Sequence, residues 1–255
     1  MKLIFMLMTI AVATMASAED ASSFIVGGSD ANIAEHPYMA RVFNLGLFTC
    51  GGSILSASNV LTAAHCISFR TAASVSVSVG SSRRLGKDGN SYRAWRVTIH
   101  PEYIYTADPF SMQNDVAVIR TFSQIQFGPL VQPIALGANI VPQFSLVVHT
   151  GWGLLGDSLI QDRADHLQRL SMWSITNAQC AQLYVGTSGE GSVTEEKICV
   201  ITGNNSGACS GDSGGPITWQ GAVVGIASWT VRPCGSHPTV FIRVSSHVDW
   251  IRQQL

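Results

Sequence analysis

The sequence predicts an all-β fold, a sandwich or barrel architecture closed by a helix at the C-terminus. Three observations carry that expectation. Ser74-Val75-Ser76-Val77-Ser78-Val79 alternates polar and apolar residues with period two, as a half-buried strand does. Asp115-Val116-Ala117-Val118-Ile119-Arg120 and Ala222-Val223-Val224-Gly225-Ile226-Ala227 are apolar runs of strand length. Turn formers punctuate such runs, as at Gly86-Lys87-Asp88-Gly89-Asn90, and the chain holds 24 Gly against 9 Pro.

The first segment stands apart from this pattern. Lys2 precedes an apolar run from Leu3 to Ala13, and Ala16-Ser17-Ala18 supplies the small residues of a cleavage site. Residues 1–18 therefore read as a secretory signal peptide. The run is too short to span a bilayer, so no membrane partner is expected and the product is expected to be secreted and extracellular. From Ile25 onward the pattern is strand-like. Thr176-Asn177-Ala178-Gln179-Cys180 can start a short helix. In Ser245 to Leu255, Ser245 or Ser246 can cap a helix whose Val248, Ile251 and Leu255 share one face.

Composition narrows the function classes. With 255 residues, 46% hydrophobic and 12% charged, the chain cannot be a disordered one. Its net charge of −1 leaves no basic excess for phosphates, so no nucleic-acid partner is expected. Cys50, Cys66, Cys180, Cys199, Cys209 and Cys234 contain no C-x-x-C pair, which argues against zinc. An even count in an exported chain favours three disulfides, with several connectivities open and chain-order pairing the simplest.

Three further segments carry the chemistry: Leu61-Thr62-Ala63-Ala64-His65-Cys66, Asn114-Asp115-Val116-Ala117-Val118 and Gly211-Asp212-Ser213-Gly214-Gly215-Pro216. Each has an ordinary explanation alone. A His beside a Cys is usually structural, an Asp before an apolar run is usually a turn residue, and a Ser among glycines is turn chemistry. Gly211 to Gly215 also fits the G-x-S-x-G elbow of esterases and lipases. That fold needs an acid and then a His after the Ser. Asp249 is the last acid of the sequence and no His follows it, so chain order excludes that reading.

Taken together, and in this order with Ile25-Val26-Gly27-Gly28, Gly151-Trp152-Gly153 and Ser228-Trp229, the segments resemble the trypsin/chymotrypsin-like serine proteases. The resemblance runs from Ile25 to the C-terminal helix. It implies two six-stranded antiparallel β-barrels with the active site in their seam. It also implies a serine endopeptidase in which Ser213 is the nucleophile, His65 its base and later the acid, and Asp115 the group that orients His65. The backbone N–H groups of Gly211 and Ser213 become the oxyanion hole. No cofactor and no metal is implied. The loop that holds calcium in some relatives, Ser81 to Ser91 here, offers Asp88 against Arg83, Arg84 and Lys87.

The same resemblance implies a zymogen: residues 19–24 a propeptide, residues 25–255 the peptidase domain. Cutting Phe24–Ile25 would free an α-ammonium to pair with Asp212. Many relatives carry Arg or Lys before the cut, so Phe24 points to an activator that accepts an aromatic residue. The implied disulfides are Cys50–Cys66, Cys180–Cys199 and Cys209–Cys234. Val147 and Trp219 stand where larger members have a further bridge. Gly207 is placed at the base of the specificity pocket, where trypsin-like members have Asp. Thr230 and Thr239 are placed on its wall, and Ser228 to Thr230 along the substrate strand. Pro238-Thr239-Val240-Phe241 resembles the elastase branch, so small or medium apolar side chains are the expected preference. The alternatives are a chymotrypsin-like preference for aromatic residues, or a non-catalytic homologue that binds partners through the cleft. The expected partners are protein or peptide substrates and protein protease inhibitors, the expected state a monomer. Asn204-Asn205-Ser206 makes Asn204 a glycosylation acceptor.

Overall fold

The computed structural model describes residues 25–156 and 163–255. The segments read as signal peptide (1–18) and propeptide (19–24, with Phe24) lie outside the described residues. After a 3-10 turn at Ile25–Gly27 the strands are β1 (Ser29–Asp30), β2 (Met39–Asn44), β3 (Leu47–Ile54), β4 (Asn59–Thr62), β5 (Val75–Val79), β6 (Asn90–Ile99), β7 (Ala117–Thr121) and β8 (Ala135–Leu136). They continue as β9 (Leu146–Gly151), β10 (Gln168–Ile175), β11 (Lys197–Ile201), β12 (Pro216–Trp219), β13 (Ala222–Trp229) and β14 (Thr239–Arg243). Helix α1 (Asn177–Leu183) interrupts the second half and α2 (Val244–Arg252) ends the chain.

Two closed barrels result. The first runs β2-β3-β4-β7-β6-β5 and back to β2. The second runs β10-β11-β14-β13-β12-β9, and the β9–β10 pairing closes it. β1 adds to β10, and β8 pairs with β13 in parallel. Closure leaves no open edge, and inward residues of each strand fill the interior. Val42, Ile54, Leu61, Val77 and Ile119 fill the first barrel; Val147, Met172, Ile198, Ile217 and Phe241 fill the second. Each such buried side chain contributes about 1.5–3 kcal/mol. The first cluster also takes in Val223, Ile242 and Ile251, so apolar packing continues across the seam between the barrels. Val147 and Trp219, expected in place of an extra disulfide, pack in the second cluster.

The strand β5 keeps the alternation its sequence shows: Val75, Val77 and Val79 are buried. It begins at Val75, because Ser74 belongs to a 3-10 turn. Ser78 is buried as well, and the reason is Arg41 on β2, itself fully buried. The Arg41 guanidinium donates to Ser78 Oγ at 2.7 Å. It also donates to the carbonyl of Arg83, and to those of Arg84 and Gly86 at 3.3 Å each. A fixed cation thus gathers the 83–86 carbonyls.

Helix α1 starts as expected, with a capping box: Thr176 Oγ1 accepts from the Gln179 N–H, and Gln179 Oε1 accepts from the Thr176 N–H, both at 3.1 Å. Helix α2 differs from expectation. It follows β14 without a loop, so Arg243 occupies the N-cap with no side-chain cap, and Ser245 and Ser246 lie inside the first turn. Its buried face is Val244, His247 and Ile251; Leu255 lies beyond the helix and is exposed. The three disulfides, Cys50–Cys66, Cys180–Cys199 and Cys209–Cys234, have Cα separations of 6.1, 6.2 and 5.5 Å. Bridges of this kind contribute about 2–4 kcal/mol each.

Candidate active site

The pairing of β4 with β7 sets Thr62 opposite Ala117. Just past that end of the ladder, β4 runs into a 3-10 turn at Ala64–Cys66, while Asp115 sits two residues ahead of β7. Residues fifty apart in sequence therefore meet. His65 Nδ1 lies 2.8 Å from Asp115 Oδ2, and the His65 backbone N–H donates to Oδ1 at 2.8 Å. Ser228 Oγ of β13 donates to Oδ2 at 2.7 Å. Asp115 is fully buried, whereas the His65 side chain is 21% exposed.

An ionised carboxylate only accepts hydrogen bonds, so Nδ1 of His65 carries the proton and Nε2 is the free lone pair. Burial alone would push the His65 pKa down. The charge and hydrogen bond of Asp115 outweigh burial and hold it above 6.5. For Asp115, burial pushes upward, but His65 and the Ser228 hydroxyl overcome it and hold the carboxyl below its ordinary 3.8. The hydroxyl of Ser228 was not legible in the sequence. A Ser beside a Trp suggests a substrate strand, yet this side chain is turned to Asp115.

The second barrel supplies the other half of the cleft. The Gly51 N–H of β3 donates to the Ser213 carbonyl at 2.8 Å. Gly51 adjoins Cys50, which is bridged to Cys66 beside His65, so the Ser213 loop docks next to the imidazole. Ser213 and His65 line the same cleft. Ser213 Oγ makes no hydrogen bond among the described residues; such contacts often close only on substrate. Gly211 has φ +104°, which a side chain would resist. Neither the Gly211 nor the Ser213 N–H has a partner among the described residues, and Gly211 is buried. Two unspent donors beside the cleft are suited to an anion.

Asp212, buried beside these donors, accepts a backbone hydrogen bond on each oxygen. Its Oδ1 accepts from the Gly153 N–H at 2.8 Å and its Oδ2 from the Cys209 N–H at 2.9 Å. A Cβ on Gly153 would come within 2.2 Å of Asp212 Oδ2, which accounts for the glycine in Gly151-Trp152-Gly153. A fully buried histidine that sequence reasoning missed, His149 on β9, sets Nε2 3.6 Å from Asp212 Oδ1 while its Nδ1 faces the Pro216 carbonyl at 2.9 Å. Near the N-terminus, the Gly207 N–H donates to the Val26 carbonyl at 3.1 Å, and Val26 packs against Leu154 and the Cys209–Cys234 bridge.

The cleft beside Ser213 measures about 220 Å³. Thr230, Ser228 and Thr239 line it, with the Trp229 ring standing 5.2 Å from Phe110 and 5.1 Å from Tyr184. Tyr184 follows α1 and its hydroxyl donates to the Pro238 carbonyl, so α1 buttresses this wall. Gly207 lies behind the lining: a Cβ there would meet the Gly235 backbone at 3.0 Å and Thr239 Oγ1 at 3.2 Å. Thr239 Oγ1 also accepts from the Ala208 N–H at 3.3 Å. Apart from Asp212 and His65, the lining holds no titratable side chain among the described residues. Cys50, His65 and Cys66 come within metal-ligand distance of one another, but both sulfurs are spent in one disulfide. Asn204 is exposed in a loop, with Ser206 Oγ donating to its Oδ1 at 2.7 Å.

Comparison with known proteins agrees with this geometry. The trypsin family's sequence pattern matches residues 25–251. A chymotrypsin-2 of Vespa crabro is 35% identical over 90% of this chain and 99% of that one. A brachyurin of Leptuca pugilator is 32% identical over 90% and 98% respectively. Among solved structures, the mouse brain serine protease neuropsin superposes with a TM-score of 0.80 at 26% identity, covering 89% of this chain and 98% of that one. A scabies mite inactivated protease paralogue gives 0.79 at 27% identity, covering 89% and 96%.

Proposed function

The chain belongs to the trypsin family of serine proteases, and on that premise we propose that His65, Asp115 and Ser213 form its catalytic triad in a secreted endopeptidase made as a zymogen. The observation that carries the proposal is the His65 imidazole held through Nδ1 by Asp115 at 2.8 Å, in the cleft that Ser213 also lines. In the reaction, Ser213 Oγ attacks the peptide carbonyl as His65 Nε2 takes its proton. The tetrahedral oxyanion meets the N–H groups of Gly211 and Ser213. His65 then protonates the leaving amine, and water, deprotonated by the same imidazole, releases the acyl group. Losing one oxyanion donor costs such a site about 2.7–4 kcal/mol of transition-state stabilisation.

The preference we assign is elastase-like, for small or medium apolar side chains. Thr239 pressed against Gly207 and Thr230 at the wall support a shallow slot, and no carboxylate is free to pair with a basic substrate. The resemblance to a chymotrypsin-2 favours aromatic residues as the second reading. Activation is assigned to cleavage at Phe24–Ile25, after which the Ile25 ammonium joins the buried Asp212. Asn204, exposed in its sequon, is assigned as a glycan acceptor. A fluorophosphonate should label Ser213 once Ile25 is the N-terminus, and a peptide library should be cut after Ala, Val or Leu. No label on the processed protein overturns the triad, and cutting chiefly after Phe or Tyr overturns the elastase-like pocket.

A further inference from the structure

We propose that Glu196 and Lys197 are positioning residues for Asp115: an ion pair on the second barrel, its lysine buried and its glutamate half-buried, that clamps the turn from which the first barrel presents its carboxylate. The proposal rests on the triad reading above. Lys197 opens β11 and Glu196 precedes it, and Lys197 Nζ lies 2.8 Å from Glu196 Oε1. Further bonds of the pair end on Met112 and Asn114, just before Asp115. Lys197 Nζ donates to the Met112 carbonyl at 2.8 Å. The Glu196 carboxylate accepts the Asn114 backbone N–H at 2.9 and 3.2 Å.

Asn114 is held from several sides. Its φ is +50°, a left-handed conformation that asparagine tolerates better than most residues with a Cβ. The Val116 N–H donates to the Asn114 carbonyl at 2.7 Å, so Asp115 is the central residue of a tight turn. The Asn114 side chain is anchored too: Nδ2 donates to the Glu102 carbonyl at 3.0 Å, and Oδ1 meets His247 Nε2 at 3.0 Å. His247 from α2 also reaches Glu196 Oε2 at 3.5 Å, with His100 packed on its ring at 5.3 Å. Burial alone would raise the Glu196 carboxyl. The His247 hydrogen bond, the Lys197 charge and the Asn114 N–H overcome it and bring it to about 2.

Stability alone does not explain this arrangement. An apolar pair of similar volume usually holds a fold as well as a buried ion pair or better. What an apolar pair lacks is direction. Here the directed bonds end on Met112 and Asn114, and a rotation of that turn would break the two bonds from Asp115 to His65. The pair thereby ties the acid of the triad to the barrel that carries Ser213.

The test compares Lys197→Met, Glu196→Gln and the neighbouring control Glu195→Gln in the processed protein, at a temperature where circular dichroism shows each folded. For Lys197→Met and Glu196→Gln we expect kcat to fall about 10- to 100-fold, as for misplacement of a catalytic group by about 1 Å. KM should stay within about two-fold of wild type, and the low-field proton resonance of His65 Nδ1–H should shift or broaden. Glu196→Gln preserves shape, so it carries the test even if Lys197→Met does not fold. Unchanged kcat in folded Glu196→Gln overturns the proposal, even with a lower melting temperature. So does a parallel change in kcat and KM with the proton resonance unmoved. If wild-type protein with a free Ile25 fails to take a fluorophosphonate at Ser213, the triad reading itself falls, which is a separate outcome.

Discussion

At the scale of single residues, Asp115, the proposed acid of the triad, would set both the chemistry and its pH range. Asp115→Asn presents an amide N–H to Nδ1, which moves the imidazole proton to Nε2 and removes the base. The loss known for this change in this type of triad, about 10⁴ in kcat, is carried over to Asp115→Asn. In the wild type, His65 is held above 6.5, so the acid limb of kcat/KM is expected above that pH, and rate-against-pH profiles would show it. Stability runs the other way. The raised His65 contributes fully below 6.5 and its contribution fades as pH climbs through the folded value. The depressed Asp115 contributes above 3.8 and its contribution fades as pH falls through the folded value. The pair therefore stabilises most between these limits, and denaturant midpoints that rise from neutral into alkaline pH through this pair would contradict the assignment. His65, Asp115 and Ser213 could be picked out as candidates because each lies in a short motif. The contacts of Ser228 and His149 were not legible, since which way a side chain turns off a strand, and what lies opposite, depends on partners far along the chain.

At the scale of elements, local signals were reliable where local chemistry decides. The helix start expected at Thr176 to Cys180 is there, fixed by a Thr176–Gln179 capping box that sits within four residues. The serine cap of α2 failed because β14 feeds straight into the helix, and Val244 is buried at the position where a polar linker would otherwise stand. Arg41 shows the limit more sharply. An arginine in a strand reads as a solvated edge residue, yet this one is fully buried, because carbonyls more than forty residues away receive its protons. Arg41→Met should leave those carbonyls unpaired and destabilise the fold, at about 1.5–3 kcal/mol for each charged hydrogen bond lost. A denaturant series would measure that drop. A chelator should leave the wild-type midpoint where it was, and a midpoint lowered by the chelator would show that a metal, not Arg41, holds the loop.

At the scale of the whole molecule, the two closed barrels came from the family resemblance and not from periodicity. Closure is set by pairings such as β2 with β5 and β9 with β10, which no window of sequence contains. Activation belongs to this scale as well, because the proposed cut lies far in sequence from Asp212. With Phe24 before the cut, chymotrypsin should release Ile25 faster than trypsin, as N-terminal sequencing of the incubated proform would report; the reverse order would count against an aromatic-directed activator. His65 and Asp115 hang from one barrel and Ser213 from the other, joined across the gap by Gly51, Ser228 and the Glu196–Lys197 pair. A small molecule that wedges that joint apart would silence the enzyme without filling the specificity cleft, by parting the proposed base from the proposed nucleophile.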